Sequence, residues 1–187
     1  MYKTIRRGFT LVEIMVVMGI IAVLAVLGIS AIININSANT VDRVTEEIVT
    51  AVRESQNMAI SIASDPAGTQ NPPLAWGIYL NVGNKSVQPF YLNSNEEYTP
   101  YGEVFTYNLL EIFNIKEGHS YYFFTTPFGK YYSTSNNPDT LTWNQNSQRP
   151  YDIIPAGVSS ERSVLEFSTR NNSRGVVIEA NGDVYAQ

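Results

Sequence analysis

Glu13 is the residue whose placement demands a chemical explanation. It stands at the mouth of Ile14–Ile33, a stretch of 20 residues without a charge. A carboxylate carried to bilayer depth is costly unless a cation meets it. The other residue types capable of chemistry are scattered. His119, the single histidine, lies in Lys116-Glu117-Gly118-His119-Ser120 and reads as a turn or strand start. Glu54, Glu96 and Glu97 are isolated acids in polar surroundings and read as solvated. There is no cysteine, hence no disulfide and no thiolate metal site. Asn136-Asn137-Pro138-Asp139-Thr140 offers oxygen ligands without the spacing of an EF-hand loop, so no metal is assigned. No Gly-x-Ser-x-Gly, His-Glu-x-x-His, P-loop or dinucleotide fingerprint occurs; neither an enzyme activity nor a cofactor is expected.

The element that carries Glu13 must be a long helix. Twenty residues at about 1.5 Å each span about 30 Å, the thickness of a bilayer core. Lys3, Arg6 and Arg7 precede the run, and Asp42 is the first charge after it. The positive-inside rule puts the N-terminus in the cytoplasm and the bulk of the chain outside. A cleaved secretory signal would have an apolar core of about 7–15 residues and a small-residue cut site. This run is longer and continues into more apolar sequence. A plain signal anchor fits the length but leaves Glu13 unexplained. The formal charge is −5, and losing the three cations of the first eight residues takes it to −8. The chain therefore carries no basic nucleic-acid arm.

Arg7-Gly8-Phe9-Thr10-Leu11-Val12-Glu13 resembles the leader junction of type IV pilins and type II secretion pseudopilins. The resemblance implies cleavage between Gly8 and Phe9 by a membrane prepilin peptidase, which also N-methylates Phe9. It makes Glu13 the fifth residue after the cut and its partner the amino terminus of a neighbouring subunit, a pairing that sets axial register during assembly. A snorkelling acid near the membrane surface is the alternative for Glu13 without that leader. The implied partners are other pilin or pseudopilin subunits, the peptidase/methyltransferase, the inner-membrane assembly platform and, before assembly, membrane lipid. The implied location is the cytoplasmic membrane, single-pass, and then a pilus or pseudopilus. Many family members have a proline in this helix; here none occurs from Phe9 to Asp65. Gly19 and Gly28 weaken the helix without breaking it, and their spacing makes no Gly-xxx-Gly face.

Beyond Asn36 the pattern becomes amphipathic. Val41, Val44, Ile48, Val52, Ala59 and Ile62 fall close to one helical face, with Ala51 and Ser55 beside them. Arg43 and Glu47 form an i,i+4 pair. One helix is expected from about Phe9 to Ser64, ended by Asp65-Pro66 and followed by the turn-rich segment 65–73. The division is leader 1–8, membrane and assembly helix 9–35, amphipathic helix 36–64, and β-rich head 65–187. The fold class is α+β, a long N-terminal helix packed on a small antiparallel head.

Strands are expected in 74–82, in 87–92 with Pro89 marking an irregular or edge strand, in 103–115 and in 120–126. The end of the chain, 162–187, reads as a three-strand meander with a type I′ turn at Asn181-Gly182. Segments 93–102 and 133–150 read as polar loops. Segments 44–61, 75–80, 127–132 and 164–184 resemble the helix and strands of H-type pseudopilins and FimT-like minor pilins. The resemblance implies a structural subunit, expected to be minor.

Two alternatives remain open. Tyr121, Tyr122, Phe123, Phe124, Tyr131, Tyr132 and Trp143 are dense enough for the binding patch of a tip adhesin. Alternation puts Tyr121 and Phe123 on one strand face, Tyr122 and Phe124 on the other, and burial on both sides is the plainer account. Arg162, Arg170 and Arg174 near the C-terminal hairpin could contact DNA phosphates in an uptake role, or be ordinary surface charges.

Overall fold

The computed structural model describes residues 9–64, 66, 68, 71–136, 143–146, 149–155 and 158–187, with backbone alone for 143–155. Lys3, Arg6, Arg7 and Gly8, the Trp143 side chain and part of the 65–73 segment lie outside the described residues.

Helix α1 spans Leu11–Ile60, 50 residues, about 75 Å at 1.5 Å per residue. Its first half is exposed throughout; its second half buries Val41, Val44, Thr45, Ile48, Val49, Val52, Ser55 and Ala59. Thr45 and Ser55 enter the apolar stripe because their hydroxyls donate to the carbonyls of Val41 and Ala51, at 2.8 and 2.9 Å. The helix stops four residues short of Ser64. Ile62 adopts φ 53°, its N–H donates to the Ala59 carbonyl, and the Ala63 N–H donates to that of Met58. This left-handed termination satisfies the last carbonyls before the chain reaches Pro66. Ile62 consequently leaves the stripe and is 51% exposed.

The head is antiparallel throughout. Its strands are β1 (Ala75–Asn81), β2 (Ser86–Leu92), β3 (Tyr98–Pro100), β4 (Phe105–Thr106), β5 (Ile112–Glu117), β6 (Tyr121–Thr125), β7 (Lys130–Thr134), β8 (Trp143–Asn146), β9 (Arg149–Pro155), β10 (Ser163–Ser168), β11 (Ser173–Ile178) and β12 (Val184–Ala186). One sheet runs β3-β2-β1-β6-β7, with β4 also on β2; a second runs β12-β11-β10-β5; β8 and β9 form a hairpin. The second half of α1 packs against both larger sheets.

Three differences from the sequence reading have clear causes. Pro89 lies in an interior strand, paired with Ile78 of β1 on one side. Its carbonyl accepts from the Tyr101 N–H on the other side, in the gap between the stretches of β2 that pair with β3 and β4. N and C=O of one strand residue face the same neighbour, so the missing N–H falls where no ladder bond was due. The Asn181-Gly182 turn is not type I′, which needs positive φ at both residues. Gly182 alone has it, at 90°, and the Gly182 N–H donates to the Glu179 carbonyl while the Glu179 N–H donates to that of Asp183. That is a three-residue loop closed by a left-handed glycine. Finally, 93–102 contains β3, and 133–150 contains the end of β7, β8 and the start of β9. Main-chain pairing makes β8–β9 a ladder where side-chain alternation gave no signal.

The β1–β6 sheet is buried on both faces. Trp76, Ile78, Leu80, Tyr122 and Phe124 join the core under α1, with Leu165, Phe167, Val176 and Ile178 of the second sheet. Ala75, Phe90, Leu92, Phe123 and Tyr132 form a smaller core on the other face, against which Tyr121 packs. The alternation expected for β6 is borne out.

Candidate functional site

The site lies at the start of α1, where Thr10 is the N-cap. The Thr10 N–H and its Oγ1–H both donate to Glu13 Oε2 at 2.9 Å, and the Glu13 N–H donates to Thr10 Oγ1 at 3.3 Å. This is a reciprocal capping box. It satisfies helix-end donors, and it places a carboxylate in the first turn, where the aligned peptide dipoles favour negative charge. Among the described residues Glu13 makes no ion pair. The local solution for the isolated acid is therefore a set of charge-assisted hydrogen bonds within four residues. Thr10 is the residue that the chemical reading of the sequence passed over. The signal was present, since Thr-x-x-Glu ahead of an apolar run is the capping-box signature.

Phe9 is 84% exposed and precedes the cap directly. From Ile14 to Ile33 every side chain is exposed, and Leu11–Ile60 contains a segment long and apolar enough to cross a membrane. An apolar helix with no buried face within its own head must find its cover elsewhere.

The three arginines do not form one cluster. Arg162 lies 3.6 Å from Glu179 at one end of the β10–β11 hairpin. Arg170 and Arg174 lie at the other end, about 17 Å of strand away. Arg174 is 3.0 Å from Asp42 of α1, and Arg170 has no ion pair among the described residues. Two of the three charges are thus met by carboxylates of the same chain.

His119 sits in the turn before β6, with Nδ1 3.0 Å from Ser133 Oγ. Glu97 accepts from the Asn93 side chain. Arg43 and Glu47 approach to 3.7 Å, as their spacing implies. Tyr122, Phe123, Phe124 and Tyr131 are buried, so this aromatic run fills cores. Burial pushes the Tyr122 and Tyr131 phenols above their ordinary values.

A groove of about 550 Å³ lies between α1, β1 and the segment leading into β4; Glu46, Glu54, Met58, Trp76, Tyr101 and Glu103 line it. No local pattern marks it in the sequence, because its walls come from separate elements.

Comparison with known proteins adds the following. Residues 3–29 match the family model described as the prokaryotic N-terminal methylation motif. A comparison with curated proteins finds no significant match. Among solved structures, the minor pseudopilin EpsH from the type 2 secretion system of Vibrio cholerae is similar at 10% identity and a TM-score of 0.48, over 79% of this chain and 95% of that one. The chain thus carries the prokaryotic N-terminal methylation motif at residues 3–29, at the start of a long helix packed on antiparallel sheets.

Proposed function

We propose that this chain is a structural subunit, of the minor kind, of a type IV pilus or a type II secretion pseudopilus. The observation that carries the proposal is the methylation-motif match at residues 3–29, on a helix whose apolar first half is exposed all round. In this reading a prepilin peptidase cuts between Gly8 and Phe9 and methylates the new Phe9 amine. The subunit waits in the cytoplasmic membrane with its N-terminus inside and its head outside, then is handed to other subunits by an assembly platform.

Cleavage leaves Thr10 and Glu13 on the same product, so the capping box persists. The box occupies Oε2. Oε1 remains to accept from the amino terminus of a neighbouring subunit. Breaking a buried pair of this kind costs about 3–5 kcal/mol, about two to four decades in an assembly equilibrium.

Glu13→Leu tests this. The variant is expected to be cleaved and membrane-embedded as usual yet absent from filaments, read by cross-linking to the other subunits beside a membrane fractionation. A plain anchor would insert at least as well without the acid. Normal incorporation of the variant would return the chain to the role of a membrane-anchored head.

A further inference from the structure

The membrane-facing end of the head is specified by one contact. Asn171, at the tip between β10 and β11, donates from Nδ2 to Asn34 Oδ1 at 2.6 Å. Asn34 is the first residue past the apolar run Ile14–Ile33, about 1.5 Å along the helix axis from Ile33. The headgroup layer on each side of a bilayer is about 5–7 Å deep. If Ile14–Ile33 spans the bilayer, as the proposed function requires, the tip lies within that layer.

The residues gathered at this end suit such a place. Arg170 is exposed at the tip and has no ion pair among the described residues. Ile112 pairs with Ser168 next to the tip and is 46% exposed. Leu109, 74% exposed, lies on the loop beside Thr40, about 10 Å beyond Ile33 and so a few Å outside that layer. Glu111 is exposed at the same end, and Arg174 is held by Asp42. An unpaired guanidinium beside the exposed Ile112 matches the chemistry of a lipid interface, where phosphate accepts bidentate hydrogen bonds and aliphatic groups face the acyl boundary.

We propose that this end of the head rests on the phospholipid headgroups of the leaflet on its own side, with Arg170 bonding lipid phosphate. The contact holds the head at a fixed height and tilt while the subunit is in the membrane.

The absence of cysteine allows clean single-site labelling. Full-length chain carrying Ser173→Cys near the tip, or Ala180→Cys about 20 Å away along β11, is labelled with a fluorophore. It is reconstituted in vesicles of phosphatidylethanolamine and phosphatidylglycerol containing a headgroup spin-labelled lipid. Quenching is expected at Ser173→Cys and not at Ala180→Cys, and Arg170→Glu is expected to lower it where Arg170→Lys retains it. Equal quenching at the two sites overturns the proposal, and quenching indifferent to Arg170→Glu overturns the role of Arg170. A Val23→Cys label with acyl-chain spin-labelled lipid separates the causes. Quenching there with none at the tip defeats the headgroup contact alone; no quenching there defeats the membrane span and the contact together.

Discussion

Arg174 Nε lies 3.0 Å from Asp42 Oδ1, joining residues 132 apart in sequence. It is the middle of three polar contacts that fasten the C-terminal meander along α1: Asn171 to Asn34, Arg174 to Asp42, and Arg53 to the Val184 carbonyl. Both members of the middle pair are about half exposed, so solvent screens it and it contributes about 0–1 kcal/mol. A double-mutant cycle with Asp42→Asn and Arg174→Gln is expected to give a coupling energy in that range, smaller still at high salt. A coupling of several kcal/mol would mean the contact is more enclosed than its exposure indicates.

Gly77 sits in β1 where the sheet leaves no room for a side chain. A Cβ there would stand 2.2 Å from the Tyr122 carbonyl oxygen and 2.7 Å from Phe123 Cβ. Backbone on β6 cannot yield without moving the central pair of the sheet. Gly77→Ala is expected to destabilise by about 3 kcal/mol, the upper range for overpacking. Gly19, with open space around it, should accept alanine with no loss. Denaturant unfolding of the two variants checks the contrast.

Tyr122 links the core to pH. Burial raises its folded-state pKa above the ordinary value near 10, so the folded chain holds that proton more tightly than the unfolded chain. Its stability contribution is complete below about pH 10 and is lost as pH rises further, at about 1.4 kcal/mol per pH unit. The hydroxyl lies near the Ser163 side chain and the His119 backbone N–H without forming a hydrogen bond of good geometry. Tyr122→Phe is therefore expected to cost less than about 1 kcal/mol at neutral pH and to flatten the alkaline limb of the stability curve. Thermal unfolding across pH 7–11 would show both effects.

Processing gives a prediction that concerns the leader alone. The mature protein is expected to begin at Phe9 with its amine methylated, and replacing Gly8 by a bulkier residue is expected to block cleavage. Mass spectrometry of the membrane fraction decides the matter. A terminus elsewhere would defeat the assignment of Gly8 and Phe9.

What the sequence determined by itself is the part governed by neighbours along the chain. The helix, its exposed apolar first half and its cap at Thr10 and Glu13 all depend on residues within a few positions of one another, and helical hydrogen bonds are local. The buried stripe from Val41 to Ala59 was legible for the same reason, as was the alternation of Tyr121 to Phe124. Tertiary structure decided what depends on distant partners. β5 and β6 are consecutive and separated by a glycine-containing turn, yet β5 pairs with β10 and β6 with β1 and β7. Nothing local in either strand specifies which edge it joins; that follows from which faces can be buried against α1 together. Pro89 is tolerable in an interior strand because its missing N–H faces the gap between two short neighbours, β3 and β4. Arg162, Arg170 and Arg174 are close in sequence, but a strand extends about 3.3 Å per residue, so the hairpin that contains them carries Arg162 to its far end. The head's approach to Asn34 was likewise invisible in the sequence, because it rests on a side-chain contact spanning 137 residues.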